Sequence, residues 1–190
     1  MSIRERRDRD RAERERLIVT AARELAEAEG WDAVTTRRLA DRVEYSQPVL
    51  YSHFKGMGAI MAAVALEGFA ELAARLEAAR AGEADAVRAL AGVGAAYVGF
   101  AEQRPALYEA MFNRAVDLPF AAEDTPAPMW AAFNELVAAL RPFAGGDDLG
   151  LLTETYWAAL HGLATLTRGG RLPASARDRR LAILLNRFGR

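Results

Sequence analysis

The chain has 190 residues, 52% of them apolar, and a formal net charge of −1. This composition allows a packed core, and the lack of cysteine excludes disulfides and thiolate metal sites. Near-neutrality excludes binding to nucleic acid by bulk charge alone, so any such site depends on where arginines are placed. Without a long apolar run or a signal peptide, we expect a cytoplasmic protein with no membrane span.

The first predicted helix covers about residues 13–29. Its apolar residues recur at helical spacing from Leu17 to Ala28, and Gly30 then ends the pattern. The preceding stretch RERRDRDRAERER alternates in charge. Two interpretations are open: a solvated helical extension held by local ion pairs, which is slightly favoured, or an arm that lies along a DNA groove.

Two short helices are predicted next. Thr35 can cap the second helix, and Ser46 can cap the third, whose first turn tolerates Pro48. Leu50 and Phe54 lie four residues apart on the third helix, so both are expected to face the core. Because only three or four residues join these two helices, the pair is predicted to form a helix-turn-helix unit.

The outer faces of the third helix carry groups that suit the major groove of DNA, into which a helix fits. Gln47 can pair with an adenine edge, while Pro48 and Val49 can pack on thymine methyl groups. Three further side chains are better placed for phosphates: Tyr51, His53 and Lys55.

The segments TTRRLADRV and YSQPVLYSHFKG resemble the DNA-binding domain of the TetR (tetracycline-repressor) family of bacterial transcription regulators. The similarity covers about residues 14–62. It implies that bases are contacted by Arg37, Gln47, Pro48 and Val49, and phosphates by Thr36, Tyr51 and His53.

The sequence departs from the family pattern at two positions. Glu44 stands where the family usually has a glycine in the turn, so a positive φ there would be strained. Met57 stands where the family usually has a lysine at the start of the fourth helix. Lys55 is then left to make the phosphate contact alone.

The regular elements predicted for the remaining chain are all helices. Helices are expected at 59–79, 85–104, from Pro105, at 129–142, at 149–167 after an Asp147 or Asp148 cap, and from Ser175 to about 188. A proline-rich loop, VDLPFAAEDTPAP, is expected to interrupt them.

The segment YWAALHGLATL resembles one branch of TetR-type ligand-binding domains through its Trp-x-x-x-His-Gly arrangement. This resemblance implies a ligand-receiving domain that dimerises through its last two long helices. The apolar pattern adds independent support. The last two helices can form an antiparallel hairpin, and the hairpins of two copies can bury each other as a four-helix bundle. The predicted interface residues are Leu152, Tyr156, Leu163, Leu181, Leu185 and Phe188.

An aromatic and methionine-rich set is the candidate ligand pocket, because apolar pockets with a few polar groups suit small molecules. Core packing is the competing and more frequent explanation, and for His161 a hydrogen-bonded core position is favoured. The set comprises Tyr97, Phe100, Tyr108, Met111, Phe112, Met129, Trp130, Phe133, Trp157 and His161.

We therefore predict an all-α protein with a helix-turn-helix domain at 1–58 and a ligand-binding and dimerisation domain at 59–190. The predicted function is a homodimeric regulator, with repression favoured over activation, released from a palindromic operator by a largely apolar effector. The alternative is a helical partner-binding or structural module without DNA specificity. His53 and His161 are too far apart in sequence for a triad or metal spacing, so no catalytic residue, metal or cofactor is expected.

Overall fold

The computed structural model describes residues 2–112, 118–120 and 122–189, in which every regular element is helical. This confirms the all-α prediction; the predicted proline-rich loop lies partly outside the described residues. The α-helices are α1 (Ile3–Glu29), α2 (Thr36–Val43), α3 (Gln47–His53), α4 (Met57–Ala81), α5 (Ala86–Gln103), α6 (Pro105–Phe112), α7 (Ala127–Leu140), α8 (Leu149–Arg168) and α9 (Arg177–Phe188).

Contacts between residues divide the chain into two compact units. The first unit contains Met1–Gly68 and Arg104–Thr125, and the second contains Phe69–Gln103 and Pro126–Arg190. The boundary predicted at residue 58 therefore falls inside the first unit, and helix α6 belongs to the unit that holds the helix-turn-helix.

The core of the first unit forms where α1 meets the two short helices. Ile18 on α1, Leu39 on α2 and Leu50 on α3 are at most 1% exposed. The hydroxyl of Thr35 accepts a hydrogen bond from the backbone amide of Arg38, which confirms the predicted cap of α2.

Helix α6 is fastened to the end of α1 by polar contacts. The carboxylate of Glu27 accepts hydrogen bonds from the backbone amides of Ala106 and Leu107, at 3.3 and 3.2 Å. These amides belong to the first turn of a helix and have no partner within it. Glu27 thus caps a helix far from it in sequence.

Helix α1 starts about ten residues earlier than the apolar pattern predicts. Ser2 and Glu5 form a capping box, in which the Ser2 hydroxyl accepts from the Glu5 amide and the Glu5 carboxylate accepts from the Ser2 amide. Residues 2–14 are exposed on every face, so this part of α1 is held by its cap and local ion pairs, not by a core.

The second unit is built from the second half of α4 together with α5, α7, α8 and α9. Asp148 accepts a hydrogen bond from the Leu151 amide, which confirms it as the cap of α8. Tyr156 is fully buried, and its hydroxyl donates to the Leu90 carbonyl oxygen at 3.4 Å. Gly94 permits this approach, because a Cβ there would lie 2.7 Å from the Tyr156 oxygen.

Helix α4 is long and apolar enough, by length and composition alone, to cross a membrane. Core helices of water-soluble proteins pass the same test. In this fold α4 buries Ile60, Val64, Phe69, Leu72 and Leu76.

Candidate nucleic-acid interface

The turn between α2 and α3 has a left-handed backbone at Glu44, the position where the family usually has a glycine. Glu44 has φ 57° and ψ 36°, and the Tyr45 amide donates to the Ala40 carbonyl oxygen at 3.0 Å. A side chain in this conformation costs about 1–2 kcal/mol relative to the right-handed region. The sharp turn is therefore made without glycine, at a cost in backbone strain.

This turn orients α3 with one face in the core and the others in solvent. Leu50 points inward and is 1% exposed, whereas Tyr51 is 53% and Val49 36% exposed. Gln47, Pro48 and Lys55 are also exposed. Five side chains of the predicted DNA-binding set are thus exposed to solvent.

The first turn of α2 supplies two more of the predicted DNA-binding residues. Arg37 is exposed there, and Thr36 is half-buried beside it. Both belong to the unit that presents α3.

The cations of α2, together with Lys55 just after α3, fall into two groups. Arg38 pairs with both carboxylate oxygens of Glu29 at 2.6 and 2.8 Å, and Arg42 pairs with Glu24 at 2.8 Å. The hydrogen bond from Arg38 holds the pKa of the Glu29 carboxyl below its ordinary value. Arg37 and Lys55 form no ion pair with any described residue, so their charges remain available to a ligand.

His53 differs from the other predicted DNA-binding residues because it faces inward. Its side chain is only 7% exposed, and Nδ1 lies 3.5 Å from an oxygen of Glu15 on α1. This buried nitrogen has no hydrogen-bond partner among the described residues. The position leaves little of the ring for the predicted phosphate contact and assigns His53 to the packing of α3 on α1.

The predicted ligand set divides between the two units. Tyr108, Met111 and Phe112 belong to the first unit, where the rings of Tyr108 and Phe112 are 4.8 Å apart. The others belong to the second unit: Tyr97, Phe100, Met129, Trp130, Phe133, Trp157 and His161.

Within the second unit, Trp157 links several of these side chains. Its indole nitrogen donates to the Tyr97 hydroxyl at 2.9 Å, and its ring meets Phe133 edge-on at 6.4 Å. His161 lies 3.4 Å from the Thr165 hydroxyl, and partial burial lowers the pKa of its ring. No group of three metal-binding side chains occurs among the residues that the structure describes.

The face predicted for dimerisation is only partly free. Tyr156 and Leu181 are buried within the second unit, unlike the prediction, and Leu152, Leu163, Leu185 and Phe188 are partly buried. The large apolar side chains that α8 and α9 expose are instead Leu151 at 65%, Leu166 at 46% and Ile183 at 63%. A Cβ added at Gly162 on α8 would meet nothing within 4 Å.

A helix-turn-helix with an exposed reading helix, in a chain with a second all-helical unit, is characteristic of DNA-binding transcription regulators. Comparison with family models gives the same class: residues 18–64 match the bacterial regulatory proteins of the tetR family. Residues 90–188 match the tetracyclin repressor-like C-terminal domain. The chain belongs to the TetR family.

Individual proteins are also similar to this chain in sequence or in fold. An uncharacterized HTH-type transcriptional regulator of Mycobacterium tuberculosis is 31% identical over 159 residues, which is 80% of this chain and 69% of that protein. A structure of a protein of unknown function from Rhodococcus sp. RHA1 has a TM-score of 0.76 at 27% identity, covering 92% of both chains. RolR in complex with resorcinol shares the fold at 18% identity, with a TM-score of 0.68 over 96% of this chain and 90% of that one.

Proposed function

We propose that the chain is a homodimeric repressor that leaves a palindromic operator when a small molecule binds its second unit. The observation that carries the proposal is the free face of α3. Gln47, Pro48, Val49 and Tyr51 stand in solvent there, in the same unit as the unpaired Arg37. Amide and guanidinium groups recognise base edges, and a hydroxyl suits a phosphate.

Dimerisation is proposed from the exposed face of the last helices. Leu151, Leu166 and Ile183 leave apolar surface in water on α8 and α9, which a second copy would cover. A seven-residue reading helix contacts too few bases to specify a site alone. Two copies related by a two-fold axis would read two half-sites, as a palindrome requires.

For the effector, the proposal favours a largely apolar molecule held by the second unit. Trp130 and Phe133 extend the Trp157–Tyr97 pair with an edge-on contact of 6.2 Å, so aromatic surface is concentrated there. RolR, which shares the fold, was solved with resorcinol, a small aromatic compound. Release from DNA needs a differential affinity of only a few kcal/mol, and DNA must then weaken effector binding by the same factor.

The competing function is a helical module that binds a protein partner. It would leave Arg37 and Gln47 without a role and would show no preference among duplexes. We propose a cytoplasmic regulator, without catalytic activity or a cofactor, because the family to which the chain belongs consists of regulatory proteins.

The test is selection from a random duplex library with the full chain, followed by affinity measurements at several salt concentrations. We expect a palindromic consensus and an affinity that falls with salt, by a slope of about 0.9 per phosphate contact. Gln47→Ala should relax the base preference, whereas Tyr51→Phe should weaken binding to all duplexes alike. The absence of any enriched sequence would contradict the proposal and favour the partner-binding module.

A further inference from the structure

Four arginines in the exposed first half of α1 lie on one face of the helix. Arg4, Arg7, Arg11 and Arg14 lie within about 80° of the helix circumference, at 100° per residue. We call these four residues the arginine stripe. The same line continues along α1 through Ile18 and is there buried in the core of the first unit, so the stripe lies on the side of α1 that faces α2 and α3.

Contacts with α3 confirm this orientation at the middle of the stripe. The Arg11 guanidinium donates to the Ser52 carbonyl oxygen at 3.5 Å and to the Glu15 carboxylate at 2.8 Å. The same Glu15 oxygen lies 3.5 Å from His53 Nδ1. The stripe therefore passes the carboxyl end of α3, next to Tyr51, the residue proposed for a phosphate.

Most of the stripe has no partner within the chain. Arg4, Arg7 and Arg14 are exposed and form no ion pair with the residues that the structure describes, whereas Arg11 is paired with Glu15. Residues 4–16 contain seven arginines and five acidic residues, so the segment has a small positive excess that the stripe concentrates. Asp8 and Asp10 lie at its two edges, each about 40° around the helix from the nearest arginine of the stripe.

The length of the stripe matches a short run of nucleic-acid backbone. From Arg4 to Arg14 the helix rises about 15 Å, at 1.5 Å per residue. One strand of duplex DNA carries a charge every 3.4 Å or so along the axis, so this length passes about four phosphates. Arg4 lies about 10 Å beyond Arg11 and would reach phosphates outside the bases that α3 reads.

We propose that the arginine stripe is a second DNA-contact surface, which holds backbone phosphates that flank each half-site. The inference rests on the proposed function, because it needs α3 to be seated on a duplex. It explains why fifteen residues of helix are kept folded by a capping box and ion pairs without a core to cover. The contact is sequence-independent, since phosphates carry no base information.

A pair of double variants tests the stripe with matched charge. Arg4→Gln with Arg7→Gln removes two cations from the stripe, and Arg6→Gln with Arg16→Gln removes two from the other faces of the same helix. Gln and Arg have similar helix propensities, so both variants should keep α1, which circular dichroism checks. The probe is the duplex enriched by the wild-type chain.

We expect the stripe variant to lower the slope of log affinity against log salt by about 1.8 per subunit, with the base preference unchanged. Hydroxyl-radical footprints should lose protection at the outer edges of the site. The control variant should keep both the slope and the footprint.

Two results would contradict the proposed DNA contact of the arginine stripe and leave the proposed function intact. Equal losses in the two variants would show that only net charge matters, and no loss in either would show a solvated extension. A wild-type chain that selects no duplex at all would overturn the stripe together with the proposed function.

Discussion

The indole nitrogen of Trp31 donates a hydrogen bond of 2.8 Å to the backbone carbonyl oxygen of Ala106, across 75 residues of sequence. Trp31 lies in the turn after α1, and Ala106 lies in the first turn of α6. Together with the Glu27 cap on the neighbouring amides, this bond makes α6 part of the DNA-binding unit. A displacement of α6 would therefore be transmitted to the helix-turn-helix.

Trp31→Phe should lower the free energy of unfolding by about 1–3 kcal/mol, because it removes a buried hydrogen bond and leaves part of the indole's volume unfilled. Urea denaturation measures the change. Trp130→Phe is the control, since Trp130 is 40% exposed and belongs to the second unit. An equal or larger loss in the control would contradict this role of the hydrogen bond.

Arg37 and Arg38 are adjacent but have different partners, so they separate recognition from structure. Arg37→Ala should cost about 1–3 kcal/mol in operator affinity and relax the preference at one base pair. Arg38→Ala loses the ion pair with Glu29 and should affect operator affinity less, without changing the preference. Gel shifts on the selected duplex and its single-base variants measure both. If Arg38→Ala alone altered the preference, the assignment would be reversed.

Glu44→Gly should raise the free energy of unfolding by up to about 1 kcal/mol. Relief of the left-handed strain is partly offset by the greater freedom of glycine in the unfolded chain. Glu44→Gln is the control, because it removes the charge but keeps the strained backbone. Equal stabilisation by both substitutions would attribute the effect to charge, and urea denaturation distinguishes the two.

Gly68→Ala should destabilise the first unit by about 1–3 kcal/mol. An added Cβ would lie 2.6 Å from the Met111 sulfur and 3.0 Å from Leu107 Cγ, so these side chains, or α6 itself, would have to shift. Gly58→Ala, also on α4, meets nothing within 4 Å and should be neutral or stabilising by up to about 1 kcal/mol. The measurement is thermal unfolding of both variants, and a stable Gly68→Ala protein would show that α6 has room to shift.

His161 predicts a pH dependence of stability. Burial lowers the pKa of the folded ring below its ordinary value of 6.5, so below that pH the unfolded chain binds more protons than the folded one. The free energy of unfolding should therefore fall as the pH drops below about 6.5, until the folded ring is also protonated. Urea denaturation between pH 7.5 and 5.5 or so should show a smaller decrease for His161→Gln. An unchanged pH profile in this variant would contradict the prediction.

Helix positions were predictable where the sequence carries a local signal. Thr35 and Asp148 mark the starts of α2 and α8 because each side chain can bond a free amide two or three residues on. The apolar period places the start of α1 only near residue 13, but the alternating charges of the preceding stretch favour a helical extension, which the structure confirms. The Ser2–Glu5 capping box was the available signal.

The environment of a side chain is harder to predict from sequence when it depends on how a second helix packs. His53 lies in an otherwise solvent-facing segment of α3, and its burial against Glu15 depends on how α1 crosses it. The apolar stripe along α8 and α9 predicts Tyr156 at a dimer interface. Periodicity does not tell which apolar face packs within the subunit, and here the face with Tyr156 does.

The exposed leucines and isoleucine of α8 and α9 have a consequence for gene control. If two copies must join through them before an operator is read, the amount of active species at low abundance varies with the square of the amount synthesised. A twofold change in expression would then alter the dimer pool about fourfold. Such a regulator responds steeply to its own production, before any effector enters the cell.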